Sequence, residues 1–375
     1  MRYRIEKDKI GKLQLPLEVY YGIHTARSKE TFSLTKHGLN RQMIKTLTSI
    51  KKASAIANTS LKLLDQKKAE AIILSCDEIF NGRLHGQFVT DLVQGGSGHS
   101  MNMNANEVIA NRANEMLGGT KGGYEYVSVE DVNLNQSSIG VIVLAGKITA
   151  VRLTKKLLNE AKKLSATLKE KIADLKIGEF DYENCLIFMQ ENLDRNIKKV
   201  TKTFDSFKEV AIGMSYFETK KEIPEEFPKL FVKHLNAAYP SEKVKQASNL
   251  IENASDYSCF LELSSALRTL MIDVAKAVDD LKPGIVSGKF VIPQVQESAE
   301  PEEPNLIVLE MVNQISFYIM GNDLTIARAV EAGEGVHNIY LPMIYACLFE
   351  EINLIRRAIR ILREKALVDL EIKEG

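Results

Sequence analysis

The run Gln94-Gly95-Gly96-Ser97-Gly98-His99-Ser100-Met101-Asn102-Met103-Asn104-Ala105-Asn106-Glu107-Val108-Ile109-Ala110-Asn111-Arg112 carries a glycine-rich turn straight into an asparagine-rich helix. Glycines at 95, 96 and 98 let the backbone take conformations closed to residues with a Cβ and come close to a ligand. The helix that follows opens with unpaired N–H groups, which suit an anion such as a carboxylate. Met101, Val108 and Met116 can face a core, whereas Asn102, Asn104, Asn106 and Asn111 carry amides elsewhere, and any that are buried need partners. On physics alone two readings stay open: a ligand site, or a helix start held by structural amide contacts.

This stretch resembles the first substrate-binding region of the aspartase/fumarase superfamily, whose pattern runs roughly G-G-x-G-T-S-x-N-M-N-x-N-E-V, and it is similar to aspartase in particular. The likeness extends along the chain. Arg4-Ile5-Glu6-Lys7-Asp8 and Tyr20-Tyr21-Gly22-Ile23-His24-Thr25-Ala26-Arg27 resemble an aspartase N-terminus. Val312-Asn313-Gln314, Gly321-Asn322-Asp323 and Glu331-Ala332-Gly333 recur in the order and spacing of the later aspartase helices. The resemblance implies a central bundle of five long helices and a homotetramer assembled through it, with each active site built from three subunits. It also implies a small C-terminal helical domain, which is expected to be missing here because the chain ends at Gly375.

The 375 residues are enough for two or three domains, and 45% hydrophobic residues fit a soluble globular protein. Lys+Arg and Asp+Glu balance at 49 each, so no net field favours nucleic acid or an anionic membrane, and neither is expected as a partner. Cys76, Cys185, Cys259 and Cys347 are scattered, with no C-x-x-C and no His at metal-ligand spacing. That pattern points to buried reduced thiols rather than disulfides or zinc. No charged-then-apolar leader opens the chain, and no apolar run approaches the ~20 residues that span a bilayer. The expectation is a cytoplasmic protein without cofactor or metal.

Turn residues Gly11, Pro16, Gly22 and Gly38 predict short strands and loops over the first 40 or so positions, with helices dominating from Met43. Leu144, Ile148, Val151, Leu158, Ala161, Leu164 or Ser165, Leu168, Ile172 and Leu175 recur at helical spacing and predict one long helix ending near Gly178. Its lysines, including Lys155, Lys156, Lys162, Lys163, Lys169 and Lys171, mark the solvent side. A second helix runs through Leu193, Ile197, Val200, Phe204 and Phe207. A third runs from Leu263 to Leu281 and is expected to stop at Pro283-Gly284, a fourth covers Ile307 to Met320, and a fifth covers Pro342 to Leu362. Apolar stripes of this length must be buried against one another. The class is therefore mainly α: an elongated bundle of about five long helices over 138–365, a smaller N-terminal domain with short strands over 1–137, and a short tail over 366–375.

In the superfamily a base removes a proton next to a carboxylate, and donors must be aimed at the negative charge that develops. The resemblance places four regions here. In the first, the family's Thr is His99, followed by a matching Ser100; His99 can donate to a carboxylate, titrate as an acid or base, or simply be packed. In the second, Q-S-T-N-D becomes Gln136-Ser137-Ser138-Ile139-Gly140, which keeps hydroxyls at Ser137 and Ser138 and loses an amide at Ile139. The third aligns with Gly178-Glu179-Phe180-Asp181-Tyr182-Glu183-Asn184-Cys185, where only the Gly is kept; Asp181 as a helix N-cap explains that segment as well as catalysis does. The fourth, G-S-S-x-M-P-x-K-x-N, falls on Gln296-Glu297-Ser298-Ala299-Glu300-Pro301-Glu302-Glu303-Pro304-Asn305. There Glu297 stands at the base position and Glu303 at the position of a carboxylate-binding Lys, while Ser298, Pro301 and Asn305 match. A carboxylate in place of that Lys reverses the sign of the contact.

Two functions follow. One is a lyase of altered specificity acting on a succinyl-type or amine-bearing carboxylate, with Glu297, Ser298 and His99 as catalytic candidates and Ser100, Ser137, Ser138 and Asn305 as substrate-binding candidates. The other is a catalytically inactive paralogue that serves as an oligomeric scaffold or as the partner-binding subunit of a hetero-oligomer. Ordinary aspartase or fumarase chemistry is not expected from this set.

Overall fold

A computed structural model describes residues 2–173, 183–212, 223–295, 306–333 and 338–373. The protein is mainly α, as the apolar periodicity predicts. Strands β1 (Tyr3–Lys7) and β2 (Lys12–Pro16) form an antiparallel hairpin that pairs Tyr3 with Pro16 and Lys7 with Lys12. Helices α1 (Ile23–Thr31), α2 (Arg41–Ser60), α3 (Gln66–Phe80), α4 (His99–Met116) and α5 (Val129–Val132) follow. Next come α6 (Ser138–Ile172), α7 (Glu183–Lys202), α8 (Glu226–Ala238), α9 (Leu250–Ser255), α10 (Ser258–Val286), α11 (Ile307–Glu331) and α12 (Leu341–Leu362). At about 1.5 Å per residue, the 35 residues of α6 extend roughly 52 Å.

The chain divides into two compact units, with boundaries inside α6, α11 and α12. The first comprises Met1–Val151, Ser206–Tyr257 and Ala329–Ala346. Its core holds Leu47, Ile50, Ile72, Ile79, Val108, Ile109 and Ile142, all fully buried. Gly146 of α6 makes room there for Tyr345, whose ring would stand 2.3 Å from a Cβ at that position and whose hydroxyl donates to the Ile142 carbonyl at 3.1 Å. The second unit comprises Arg152–Asp205, Ser258–Arg328 and Cys347–Gly375. It takes residues from the five long helices α6, α7, α10, α11 and α12 and buries Leu164, Leu168, Val200, Leu263, Leu267, Ile319, Ile352 and Ile355.

Three expectations are corrected. Residues 23–31 form a helix inside the segment read as strands and loops, because the N–H groups at its start find carboxylates from distant parts of the chain, described below. Pro283 and Gly284 do not end α10, which runs on to Val286. Proline normally breaks a helix by losing an N–H and crowding the previous turn. Here its carbonyl still accepts from the Ser287 N–H at 3.0 Å, and a Cβ on Gly284 would lie 2.6 Å from the ring of Phe290. The missing side chain at 284 is what lets Phe290 close over this last turn. Helix α11 also outruns its predicted span, by 11 residues beyond Met320.

Candidate active site

The turn before α4 is built from Gly96 (φ 78°), Ser97 (φ 56°) and Gly98 (φ 79°), three successive residues in the left-handed region. Such a run favours glycine, and Gly98 also approaches α6 closely: a Cβ there would sit 3.0 Å from Ile142 Cγ2. The close approach brings His99, the first residue of α4, beside Ser138, the first residue of α6. His99 Nδ1 lies 3.0 Å from Ser138 Oγ, and Asn102 Nδ2, one turn further along α4, donates to the same oxygen at 3.0 Å.

Behind this contact lies a polar hub centred on the half-buried Asn133. Asn133 Oδ1 accepts from Asn102 Nδ2 at 3.1 Å, from Asn106 Nδ2 at 3.2 Å and from Lys51 Nζ at 2.8 Å. Asn102 and Asn106 are four residues apart and so share one face of α4. Lys51 is 0% exposed in the middle of α2, and burial pushes its ammonium well below the usual lysine range. Asn102, Asn104, Asn106, Asn111 and Asn114 are all fully buried. Asn104 donates to the Gln87 carbonyl and Asn111 to the Tyr20 carbonyl, so much of the asparagine pattern is structural amide bonding.

The other wall is the start of α1. Its cap residue Gly22 has no side chain to accept from the first turn. Glu107 takes that role, accepting from Gly22 N at 2.9 Å, His24 N at 2.9 Å, Thr25 N at 3.1 Å and Thr25 Oγ1 at 2.5 Å. Glu6 accepts from Ile23 N at 2.8 Å and pairs with Arg4. Burial pushes the Glu107 carboxyl up, while these donors pull the other way. Anchored in this way, α1 sets the His24 ring against His99, with centroids 5.2 Å apart in a T-shaped arrangement. Burial, and then His99, push the His24 pKa down.

Of the residues singled out from the sequence, the structure thus joins His99 to Ser138. Ser137 caps α6, its Oγ accepting from Gly140 N at 3.0 Å, and it lines a cavity of about 30 Å³ with Asn135, Gly140 and Ala211. Ser100 is half-buried at the second position of α4. Glu297, Ser298, Asn305 and the acidic stretch around them lie outside the described residues, as do Phe180 and Asp181 of the third region. Sequence reasoning missed Asn133, Lys51 and the packing role of His24. For Lys51 a signal existed, since it stands at helical spacing from Leu47, Ser54 and Asn58 on the buried face of α2. Among the described residues no group of three or more His, Cys, Asp or Glu is placed to hold a metal ion, and no helix is long and apolar enough to cross a membrane.

Residues 11–176 match the sequence profile of a family described as Lyase. The chain is 32% identical over 392 residues to the aspartate ammonia-lyase of Bacillus subtilis, covering 99% of this chain and 82% of that relative. A fumarate lyase:delta crystallin from Brucella melitensis, solved with cobalt bound, superposes with a TM-score of 0.94 at 30% identity, over 99% of this chain and 85% of that one. A class II fumarase from Schistosoma mansoni gives a TM-score of 0.92 at 25% identity, with the same coverage. The chain is therefore a member of the aspartase/fumarase superfamily of lyases.

Proposed function

We propose that this member is a β-eliminating lyase of altered specificity, in which deamination of aspartate itself is weak or absent. Its substrate is a succinyl-type or amine-bearing carboxylate. A base takes the proton next to the carboxylate, the electron pair left on carbon forms the new double bond, and the amine or oxygen group departs. The observation that carries this reading is the meeting of His99, Ser138 and Asn102 where two helices begin. Hydroxyl, imidazole and helix N–H groups suit the negative charge that builds on a carboxylate during proton removal. Ser100, Ser137 and Asn305 complete the binding set in this proposal, and Glu297 is the base, its proton affinity raised by the neighbouring acidic residues. Ser298 is the hydroxyl alternative to Glu297. Glu303, in place of a carboxylate-binding lysine, selects for a substrate with a cationic group.

The proposed working form is a homotetramer in the cytoplasm, where its four cysteines stay reduced and outside disulfides. Support for assembly comes from α11, which leaves Phe317, Met320 and Leu324 exposed at spacings of three and four, on one face.

The test is ultraviolet absorbance of the new conjugated double bond with aspartate, malate, argininosuccinate and amine-bearing succinates. Turnover of one of them is expected, falling about 100-fold or more in Glu297→Gln, the usual scale for loss of a general base. An assembled oligomer that turns over none of the panel would instead support the catalytically inactive paralogue, a scaffold or a partner-binding subunit, which the loss of the lysine at Glu303 favours.

A further inference from the structure

Ser138 has one hydroxyl hydrogen, and its contacts restrict where that hydrogen goes. The Asn102 amide nitrogen can only donate, so Ser138 Oγ accepts there. The 3.0 Å contact with His99 Nδ1 can run in either direction. With His99 neutral and its hydrogen on Nε2, Ser138 donates its own hydrogen to Nδ1. With His99 protonated, Nδ1–H donates to Ser138, whose oxygen then accepts two bonds and whose own hydrogen is released. Starting from the Nε2–H tautomer, one proton raises the donors that the pair can offer a ligand from Nε2–H alone to Nε2–H plus the Ser138 hydroxyl, and adds a positive charge.

We propose that His99 and Ser138 form a proton-linked anion clamp, in which a carboxylate binds together with one proton that settles on His99 and turns the Ser138 hydroxyl from His99 toward the ligand. This rests on the reading of the site given above and adds its regulation. An anion at the α4 N-terminus and a positive imidazole at that helix's first residue favour one another. The backing is rigid: Ser138 is 3% exposed, Asn102 is fully buried, and Asn102 is fixed by Asn133, which is fixed in turn by Lys51. Burial, and then the adjacent His99, push the His24 pKa down, with Asp8 acting the other way.

Asp8 acts on His24 but is paired with Arg27 at 2.7 Å. Glu107 is occupied by the α1 N–H groups, and Lys51, driven toward its neutral amine, is bonded to Asn133. Among the described residues no carboxylate touches the His99 ring, so a bound carboxylate would be its counter-ion.

The experiment is calorimetric titration of the assembled protein with succinate from pH 6.5 to 8.5, in two buffers of different ionisation enthalpy and corrected for succinate's own titration. It is combined with ¹⁵N NMR of the imidazoles. Uptake approaching one proton per succinate is expected, with Kd weakening about tenfold per pH unit on the alkaline side, the slope for one linked proton. His99→Gln should still bind succinate but without that slope, and neutral His99 should carry its hydrogen on Nε2. Binding without proton uptake, an unchanged slope in His99→Gln, or a neutral tautomer protonated on Nδ1 would each overturn the clamp while leaving the lyase reading intact. Failure of succinate to bind at any pH would overturn the clamp, while the lyase reading stands or falls on the turnover panel.

Discussion

Glu107→Gln is expected to destabilise the protein by about 3 kcal/mol, although the two side chains are nearly the same size. Three backbone N–H groups, of Gly22, His24 and Thr25, are fixed on its two oxygens, and the Thr25 hydroxyl adds a fourth donor. A glutamine must turn its NH2 toward one set of these donors or the other, so at least one buried N–H loses its acceptor and faces another donor. Hydrogen bonds to a charged group contribute about 1.5–3 kcal/mol each, and an orphaned buried donor costs a further 1–3 kcal/mol. Alanine should cost more still, by opening a void at the same place. Urea unfolding at fixed protein concentration measures this, and a Gln variant within about 0.5 kcal/mol of the parent would refute the cap assignment. Loosening α1 should also free the His24 ring, so the variant's histidine spectrum should change at both His24 and His99.

The same carboxylate shows why the bundle was legible in the sequence and the site only partly so. Helix α6 announces itself because Leu144, Ile148, Val151, Leu158 and Ala161 repeat within one short window, and all are buried as that repeat requires. Helix α1 does not, since what holds its start is Glu107, more than 80 positions away; no local window contains it. Pro283 misleads for a related reason: its local meaning is a break, and the room that offsets it is set by Phe290 from outside the helix. At the site, the glycines and asparagines of the 94–112 run point to a constrained turn and buried amides. The partner of each amide is nevertheless a tertiary fact. Asn133 becomes a hub only because α2 delivers Lys51 and α4 delivers Asn102 and Asn106 to one oxygen. The resemblance located His99 and Ser138 separately, and their 3.0 Å contact comes from the Gly98–Ile142 approach.

Glu351→Gln should have the opposite sign, raising stability at pH 8 by on the order of 1–2 kcal/mol. Glu351 of α12 is 0% exposed and meets Ser264 of α10, whose single hydroxyl hydrogen lies between two carboxylates: Asp323 Oδ1 at 2.8 Å and Glu351 Oε2 at 3.2 Å. Asp323 has Arg268 as its ion-pair partner at 2.6 Å, so Ser264 donates to Asp323, and Glu351 can join the chain only by donating a proton of its own to Ser264. Burial first, and the Asp323 charge with it, push the Glu351 carboxyl well above the usual carboxylate range. A folded-state pKa above the unfolded value means that the folded protein holds the extra proton. The contribution is therefore complete below the ordinary glutamate range near 4.5 and is lost as pH rises through the folded value, at about 1.4 kcal/mol per unit of difference. Glutamine donates its N–H to Ser264 without needing a proton, so the variant should match the parent near pH 4.5, pull ahead as pH rises and level off above the folded-state value. Parallel pH profiles of unfolding free energy for the two proteins, at one concentration so that assembly is held constant, would show the curves diverging with pH. Curves that stay parallel would mean that Glu351 is ionised in the folded protein, and the hydrogen-bond order Glu351 to Ser264 to Asp323 would be wrong.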